Sequence, residues 1–348
     1  MACAATYYYR VRAYNATDTS GYSSVANAMT RDCATLAGNV TLQGRPAAPS
    51  PRWVTSLTVK LTAPGSGALR YTFSPTTDSS GYFTLTGIEP DTYDVWVKSS
   101  HTLQNKASLT LTTGNNSLAL GTLREGDAND DNVISVLDFS VLAFTFNRCQ
   151  GITGYDSRAD FNQDGCATLL DFSLLAANYD QIGASQAQAS ITALSGKGPQ
   201  LSIAPSTLTV VPGQVFSVTI QVQAGAQQVG GAQAQLTFDP ALLRVRAITL
   251  GASLPITLKS TFDNQAGTVK VAAGTLAEAP SGTFALAQIE FEALAAQSGT
   301  VRLKFETGRP QASDLAFGGA SVLGSTSDGE IIVGQGWRVY LPLIRRSP

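Results

Sequence analysis

Two stretches of the sequence carry oxygen-bearing side chains at the same spacing. Residues 127–138 read DANDDNVISVLD, and residues 160–171 read DFNQDGCATLLD. Calcium binds six to eight oxygen ligands, and a 12-residue loop supplies them from positions 1, 3, 5, 7, 9 and 12. Side-chain oxygens stand at positions 1, 3, 5 and 12 of both stretches: Asp127, Asn129, Asp131 and Asp138 in the first, and Asp160, Asn162, Asp164 and Asp171 in the second.

The two remaining ligand positions of each loop also suit calcium. Position 7 contributes a backbone carbonyl, here that of Val133 or Cys166. Position 9 often acts through a water molecule, which suits Ser135 and Thr168. The sequence therefore predicts two bound calcium ions, one in each loop. The alternative is a pair of Asp- and Asn-rich turns that bind no metal.

Both loops belong to an internal repeat. The copies start 33 residues apart, and each continues into the pattern L-D-F-S-x-L-A, which predicts a helix after each loop. The matching apolar residues are Leu137, Phe139, Leu142 and Ala143 in the first copy, and Leu170, Phe172, Leu175 and Ala176 in the second. Position 6 of the first loop is Asn132, where glycine is expected. Asn tolerates a left-handed backbone better than most residues, so we expect this loop to form.

Residues 126–180 resemble a type I-like dockerin, in which two calcium loops end in Asp at position 12. The resemblance implies a cohesin as the partner, bound through loop positions 10 and 11 and the helix that follows. Val136 and Leu169, at position 10 of the two copies, are the better candidates for partner contact. Leu137 and Leu170, at position 11, either contact the partner or pack the dockerin's own core. Because the two halves are nearly identical, two binding orientations are possible.

Alternating apolar residues predict two strands within residues 1–31. The segment TYYYRVRAYN covers 6–15, with Tyr7, Tyr9, Val11 and Ala13 on one face, and SSVANAMT covers 23–30. The segment resembles the last two strands of a fibronectin type III domain. The sequence also allows Cys3 to pair with Cys33, and Cys149 with Cys166, but free thiols are an equal alternative.

Residues 34–124 read as a series of strands separated by Pro, Gly, Asp and Ser turns. Strands are predicted at 36–44, 56–63, 69–75, 82–88, 93–100 and 107–113. The segment GYFTLTGIEPDTYDVWVK resembles part of a carboxypeptidase-regulatory-like or Cna-B-like β-sandwich. No chemistry is evident in this segment, and the resemblance implies a spacer or stalk.

Residues 200–335 alternate again and predict about nine strands. The segments VVPGQVFSVTIQVQ and GGAQAQLTFDPALLRV resemble a cohesin domain over residues 201–333. Gln233 and Gln235 point outward from the strand that contains them, and the resemblance places that face in the dockerin-binding sheet. The alternative for these two residues is an ordinary solvated face. We predict a linker at 182–199 and an apolar, basic tail at 336–348 with an anchoring or sorting role.

Composition narrows the class of function. The net charge is −2 and no basic run occurs, which argues against nucleic acid or an anionic membrane as a partner. No hydrophobic run approaches the roughly 18 residues of a membrane helix. His101 is the only histidine in the sequence, and we predict it at the surface with no acid nearby. A triad built on His101 is therefore not expected, and we predict that the chain is not an enzyme.

The sequence as a whole predicts a multidomain, mainly β protein. Ig-like or Cna-B-like and cohesin jelly-roll-like β-sandwiches flank a small α-helical, calcium-binding dockerin at residues 125–181. No signal-peptide pattern precedes Thr6, so we expect the C-terminal portion of a longer exported protein, or a misassigned start.

The predicted function is calcium-dependent assembly with cohesin- and dockerin-bearing proteins, this chain included. The setting is extracellular or at a bacterial cell surface, in complexes that contact polysaccharide indirectly. One alternative is a carbohydrate-binding adhesion protein, although residues 200–336 contain no Trp or Tyr for a sugar platform. Another is the docking end of a glycoside hydrolase whose catalytic domain lies outside this chain.

Overall fold

The computed structural model describes residues 3–185, 194, 196–294, 298–307 and 312–334. The chain splits into two compact units. The first consists of Met1–Asn132, Phe161–Asp164 and Ile182–Ala187, and the second of Val133–Asp160, Gly165–Gln181 and Gln188–Pro348. The predicted tail at 336–348 and part of the predicted linker at 182–199 lie outside the described residues.

The first unit begins with a small antiparallel sheet of β1 (Thr6–Tyr9) and β2 (Ala26–Met29). The strand predicted at 6–15 ends early, because the Val11 N–H donates to the Ser23 hydroxyl at 3.1 Å and not to a neighbouring backbone carbonyl. A disulfide joins Cys3 to Cys33, with the Cα atoms 5.1 Å apart. The fibronectin type III resemblance of this segment stays a prediction.

Seven strands of the first unit form two facing sheets around one hydrophobic core. They are β3 (Ala34–Leu42), β4 (Thr58–Thr62), β5 (Leu69–Phe73), β6 (Tyr82–Ile88), β7 (Thr92–Lys98), β8 (Asn105–Thr110) and β9 (Gly114–Leu123). One sheet has the order β6-β3-β9 and the other β5-β4-β7-β8. Leu36, Val59, Leu61 and Val95 are fully buried between them. Burial of these apolar side chains is the main force that holds the sandwich together.

His101 is buried, so its predicted surface position is wrong. Its Nδ1 contacts Glu125 Oε2, and the Glu125 carboxylate also accepts from Arg45 Nη2 at 3.2 Å. An isolated bridge pairs Thr102 with Glu125, and this pairing brings the acid beside the ring. The contact could not be predicted from local sequence, because His101 and Glu125 are 24 positions apart.

Two helices of the second unit follow the two predicted calcium loops: α1 (Val136–Thr145) and α2 (Leu169–Asn178). Between them β10 (Arg148–Cys149) pairs antiparallel with β11 (Cys166–Ala167), and a disulfide joins Cys149 to Cys166. Leu142 and Leu175, matched in the repeat, are both fully buried. Phe139 and Phe172 meet edge to face with their ring centroids 6.3 Å apart.

The rest of the second unit is a larger sandwich with its own core. Its described strands are β12 (Gln200–Ala204), β13 (Thr207–Val210), β14 (Val215–Gly225), β15 (Gly231–Thr237), β16 (Leu243–Leu250), β17 (Ile256–Asp263), β18 (Thr268–Gly274), β19 (Gly282–Ala293), β20 (Gly299–Phe305), β21 (Asp314–Phe317), β22 (Ala320–Ser321), β23 (Ser325–Ser327) and β24 (Gly329–Val333). One sheet has the order β16-β19-β14-β12-β23. The other has the order β13-β24-β20-β15-β18-β17, with β21 and β22 beside β15.

Residues of β15 alternate as the sequence predicts. Ala232, Ala234 and Leu236 are buried in the core, and Gln233 and Gln235 belong to the opposite face of the sheet. More strands are present in this range than the nine predicted, because short pieces such as β21, β22 and β23 are too brief to give a periodic pattern.

Candidate calcium loops and docking surface

The first half of the loop at 127–138 is organised around Asp127. Its Oδ1 accepts from the Asp131 N–H at 3.0 Å and its Oδ2 from the Asn132 N–H at 2.8 Å. Asn129 Oδ1 also accepts from the Asp131 N–H, at 3.1 Å, and Asn129 Nδ2 donates to Asp131 Oδ2 at 2.9 Å. Positions 1, 3 and 5 of this loop therefore lie together.

The loop at 160–171 repeats these hydrogen bonds at equivalent positions. Asp160 Oδ2 accepts from the Gly165 N–H at 2.9 Å. Asn162 Oδ1 accepts from the Asp164 N–H at 2.8 Å, and Asn162 Nδ2 donates to Asp164 Oδ2 at 3.0 Å. The sequence repeat is thus a repeat of local structure as well.

Backbone conformation repeats too. Positions 4 and 6 have positive φ in both loops: 63° at Asp130, 70° at Asn132, 52° at Gln163 and 90° at Gly165. Asn132 adopts the left-handed conformation that glycine adopts in the second loop, as the sequence predicted. Its side chain also accepts from the Gln104 N–H at 2.7 Å, a bond that glycine could not make.

The Asp at position 12 of each loop also takes part in the N-terminal cap of a helix that begins at position 10. Asp138 Oδ2 accepts from the Ser135 N–H at 2.8 Å, and Asp171 Oδ2 accepts from the Thr168 N–H at 2.8 Å. The Ser135 and Thr168 hydroxyls accept from backbone N–H groups of the first helical turn, which completes a capping box in each copy. Residues predicted at ligand positions 9 and 12 therefore also fix the helix starts.

Carboxylates at positions 1 and 12 of both loops are buried: Asp127, Asp138, Asp160 and Asp171. Burial of a carboxylate is costly unless hydrogen-bond donors or a cation compensate its charge. Burial raises the pKa of Asp127 to about 6, an increase that the nearby Lys98 ammonium partly opposes. Carboxylate, amide and hydroxyl oxygens on a shared local framework are a donor set that suits calcium.

Two cations of the first sandwich contact the loops. Lys98 Nζ contacts Asp127 Oδ2 and lies 3.0 Å from Asp130 Oδ1. Arg52 Nη2 donates to Asn162 Oδ1 at 2.8 Å, and its Nε lies within hydrogen-bonding distance of the Asn162 and Gln163 carbonyls. Neither residue could be predicted from the sequence, since nothing in their spacing relates them to the loops.

The remaining predicted ligands are the backbone carbonyls at position 7 of the two loops, those of Val133 and Cys166. Val133 is buried, and Cys166 belongs to β11 and to the disulfide with Cys149. In the described part of the chain, no three His, Cys, Asp or Glu side chains form a cluster that could hold a metal ion. The three predicted Asp ligands of each loop are therefore not gathered into such a cluster: Asp127, Asp131 and Asp138 in the first loop, and Asp160, Asp164 and Asp171 in the second.

Helix α1 packs on the outward face of the larger sandwich through Gln233. The Val136 N–H donates to Gln233 Oε1 at 3.2 Å, and the Tyr179 hydroxyl donates to the same oxygen at 2.8 Å. Gln233 Nε2 donates to the Ala312 carbonyl at 2.5 Å. Gln233 is buried in consequence, whereas Gln235 is half-buried. Two residues predicted to contact partners, Val136 and Gln233, therefore contact each other.

Further polar contacts lie beside this one. Ser140 Oγ accepts from the Gly319 N–H at 2.8 Å. Asp180 lies beside two lysines of the sandwich, with Lys270 Nζ at 3.1 Å and Lys259 Nζ at 3.4 Å. Charged and neutral polar groups thus surround the apolar contact of α1 with the sheet.

Helix α2 presents the equivalent residues differently. Leu169 and Leu170 are 66% and 61% exposed, whereas Val136, the counterpart of Leu169, is fully buried. Leu137 is half-buried. Of the four helix residues predicted to contact a partner, the two on α2 are the ones open to solvent.

Comparison with known proteins agrees with the two resemblances. Residues 125–178 match the Dockerin type I domain family, and residues 201–333 match the Cohesin domain family. The chain carries a dockerin module and a cohesin module. Both are assembly domains, and type I dockerins bind calcium. Neither match extends to residues 1–124.

Solved cohesin structures are similar to part of the chain. A type II cohesin-X-dockerin complex of Acetivibrio cellulolyticus shares 22% identity over 43% of this chain and 97% of its own, with a TM-score of 0.37. The seventh ScaB type I cohesin of Pseudobacteroides cellulosolvens shares 13% sequence identity over 41% of this chain and 97% of its own, with a TM-score of 0.35. A non-cellulosomal cohesin of Archaeoglobus fulgidus shares 16% sequence identity over 40% of this chain and 93% of its own, with a TM-score of 0.32.

The search of curated proteins found no match. Among the described residues, no helix is long and apolar enough to cross a membrane.

Proposed function

We propose that this chain assembles protein complexes outside the cell through calcium-dependent recognition between dockerin and cohesin modules. The observation that carries the calcium dependence is the repeated burial of carboxylates at loop positions 1 and 12. Each of these carboxylates accepts a backbone N–H within its own loop, at Asn132, Ser135, Gly165 and Thr168. A divalent cation in each loop would bind these buried carboxylates as ligands, and at Asp127 it would share or displace the Lys98 ammonium.

Two calcium ions would bind, one in each loop. Side chains of Asp127, Asn129, Asp131 and Asp138 would hold the first, with the Val133 carbonyl and a water molecule at Ser135. Side chains of Asp160, Asn162, Asp164 and Asp171 would hold the second, with the Cys166 carbonyl and a water molecule at Thr168. The bound ion supplies positive charge that links the start of each loop to the start of its helix.

Metal binding and helix presentation would be coupled in this module. Asp138 and Asp171 serve both as predicted ligands and as capping residues, so an ion that fixes their carboxylates also fixes the first turn of α1 and α2. Val136 and Leu169, which lie in that first turn, are the predicted partner contacts. Removal of calcium should therefore weaken the docking surface itself.

A cohesin module of another protein would bind the exposed face of α2. Leu169 and Leu170 present large apolar side chains to solvent, which is typical of a surface that a partner covers. We place this assembly in secreted or cell-surface complexes that act on polysaccharide. Two disulfides suit an oxidising compartment outside the cytosol.

Calcium binding to the full chain tests the proposal. Isothermal titration of the chelator-treated chain should give two ions per chain, and Asp171→Asn should remove the second. Asp91→Asn is the matched control, because Asp91 lies in a turn outside both loops. Two sites in the Asp91→Asn variant and one in Asp171→Asn are the expected result. Failure of the wild-type chain to bind calcium would overturn the proposed function.

A further inference from the structure

We infer that the dockerin module docks in cis on the cohesin module of its own chain, through α1, and thereby masks that cohesin from other dockerins. This inference rests on the proposed function, because it assigns the partner and the regulation of the same recognition surface. It also assigns different roles to the two halves of the dockerin: α1 is occupied within the chain, and α2 remains for a partner.

Hydrogen bonding at Gln233 is the first support. The amide oxygen of this one side chain accepts from both the Val136 N–H and the Tyr179 hydroxyl. Val136 begins α1 in the first copy of the repeat, and Tyr179 directly follows α2 in the second. Tyr179 is mostly buried, and its hydroxyl needs a partner there. Gln233 is only 8% exposed, and both its amide oxygen and its amide nitrogen form hydrogen bonds with protein groups. A glutamine on a solvated face would bond to water instead. This geometry is that of a specific contact.

Glycines in the sandwich make room for the helix. A Cβ at Gly274 would lie 2.0 Å from Phe139 Cε1, and a Cβ at Gly231 would lie 2.5 Å from Val136 Cγ2. A Cβ at Gly319 would lie 2.6 Å from Val141 Cγ2. At each of these three positions an α1 side chain comes nearest to the added atom. The sheet is therefore shaped to accept α1 at three separate positions.

Charge complementarity is the third support. Lys259 and Lys270 stand on neighbouring strands, β17 and β18, and both reach Asp180 at the end of the dockerin. Two cations around one carboxylate, beside an apolar contact, fix how the helix pair lies on the sheet. Asp180 follows directly after Tyr179, so the charged and hydrogen-bonded contacts share one short segment.

Tethering favours the contact within the chain over one between chains. Modules joined by a short tether meet at an effective concentration on the order of 1 mM, so a separate dockerin at about 1 µM would need roughly thousand-fold tighter binding to displace the tethered one. Calcium would control this capture, because Val136 directly follows the N-cap residue Ser135, and the predicted ligand Asp138 completes the capping box at the start of α1. The masked cohesin would open when calcium is lost.

Zero-length cross-linking of the full chain tests the inference. A carbodiimide should join Asp180 to Lys270 or Lys259 in the wild-type chain with calcium. The Lys106–Asp94 pair, 2.8 Å apart in the first sandwich, is an internal control for the reaction. Mixing isotopically light and heavy chains before the reaction separates the alternatives. Because the contact is within one chain, only light–light and heavy–heavy cross-linked peptides are expected. Mixed light–heavy peptides would overturn the inference, and so would a Lys106–Asp94 cross-link without the Asp180 cross-link.

Matched glycine variants show whether the sheet surface is responsible. In Gly274→Ala the new methyl group would clash with Phe139, so the Asp180 cross-link should fall to background. In Gly230→Ala the nearest atom lies 3.7 Å from the new Cβ, so the cross-link should persist. An unchanged cross-link in Gly274→Ala would contradict the proposed contact.

Calcium titration of the same samples separates this inference from the proposed function. Both glycine variants should still bind two ions, because neither residue is a predicted ligand. Two bound ions without a cis cross-link would overturn the inference alone, and no bound calcium would overturn the proposed function. With chelator the cis cross-link should weaken while the Lys106–Asp94 control remains, and an unchanged Asp180 cross-link would contradict calcium control.

Discussion

Lys98 brings a positive charge to the carboxylate that opens the first calcium loop. Its Nζ contacts Asp127 and lies 3.0 Å from Asp130, so a calcium ion must share or displace that ammonium. The pairing stabilises a buried carboxylate when no metal is bound, and it should therefore weaken calcium binding to this loop. In the second loop Arg52 contacts two carbonyl oxygens and the Asn162 amide, and its Nη2 lies 3.8 Å from the Asp164 carboxylate.

Substitution of Lys98 should strengthen calcium binding. In Lys98→Gln we expect the first loop to bind calcium about ten-fold more tightly, a gain of about 1.4 kcal/mol, because the ion no longer competes with a charged hydrogen bond. Isothermal titration resolves the two sites. Lys60→Gln on β4 is the matched control and should leave both affinities unchanged. Equal or weaker binding in Lys98→Gln would show that the ammonium supports the loop.

Residues that a local repeat carries could be predicted from the sequence. The helix after each loop and the left-handed Asn132 depend on neighbours within a few positions, and the repeat predicted both. The capping role of Asp138 and Asp171 is equally local but was not predicted. Lys98 and Arg52 could not be predicted, because they reach the loops from another part of the fold. His101 was predicted wrongly for the same reason: its acid, Glu125, comes from a distant strand pairing.

At the scale of elements, the Cys149–Cys166 disulfide connects the end of α1 to the second calcium loop. It closes a segment of 17 residues, and a loop of this length gives about 3 kcal/mol of stabilisation in the chain-entropy estimate. Cys166 is also predicted to supply the carbonyl at loop position 7. The cross-link therefore holds a predicted calcium ligand near the preceding helix.

Removal of this disulfide should lower both stability and calcium affinity. In Cys149→Ala/Cys166→Ala we expect the dockerin to unfold at lower denaturant, with a loss of about 3 kcal/mol, and the second site to bind calcium more weakly. Denaturant titration and calorimetry measure the two effects. Cys3→Ala/Cys33→Ala removes the other disulfide and should leave calcium binding unchanged. Equal calcium affinities in the two double variants would contradict this prediction.

Strands with a clear alternation of apolar and polar residues could be predicted from the sequence, and strands with a weaker alternation could not. Tyr82–Ile88 was predicted with its observed bounds, and both helices follow the repeat. The strand at 6–15 was overextended, because serine hydroxyls replace its backbone partners after Tyr9. Strand β9 was missed, since its first residues, GNNS, are typical of a turn.

At the scale of the whole molecule, two recognition modules in one chain need not mean two open recognition surfaces. The cohesin sheet carries the dockerin's first helix, and the second helix keeps its leucines exposed. Such a chain would present one dockerin face to partners and release its cohesin when calcium falls. The sequence supplied both modules but left their mutual contact open, because only the folded sheet brings Gln233 to Val136.

Hydrogen exchange of the full chain, with calcium and with chelator, tests this account most directly. The two segments to follow are α1, at 136–145, and β15, at 231–237. We predict that both are protected in calcium, that chelator exposes them together, and that dilution of the calcium-loaded chain changes neither, since the contact is intramolecular. Strand β7, at 92–98, should stay protected throughout. Protection of α1 and β15 that chelator leaves unchanged, or that dilution removes, would contradict the account.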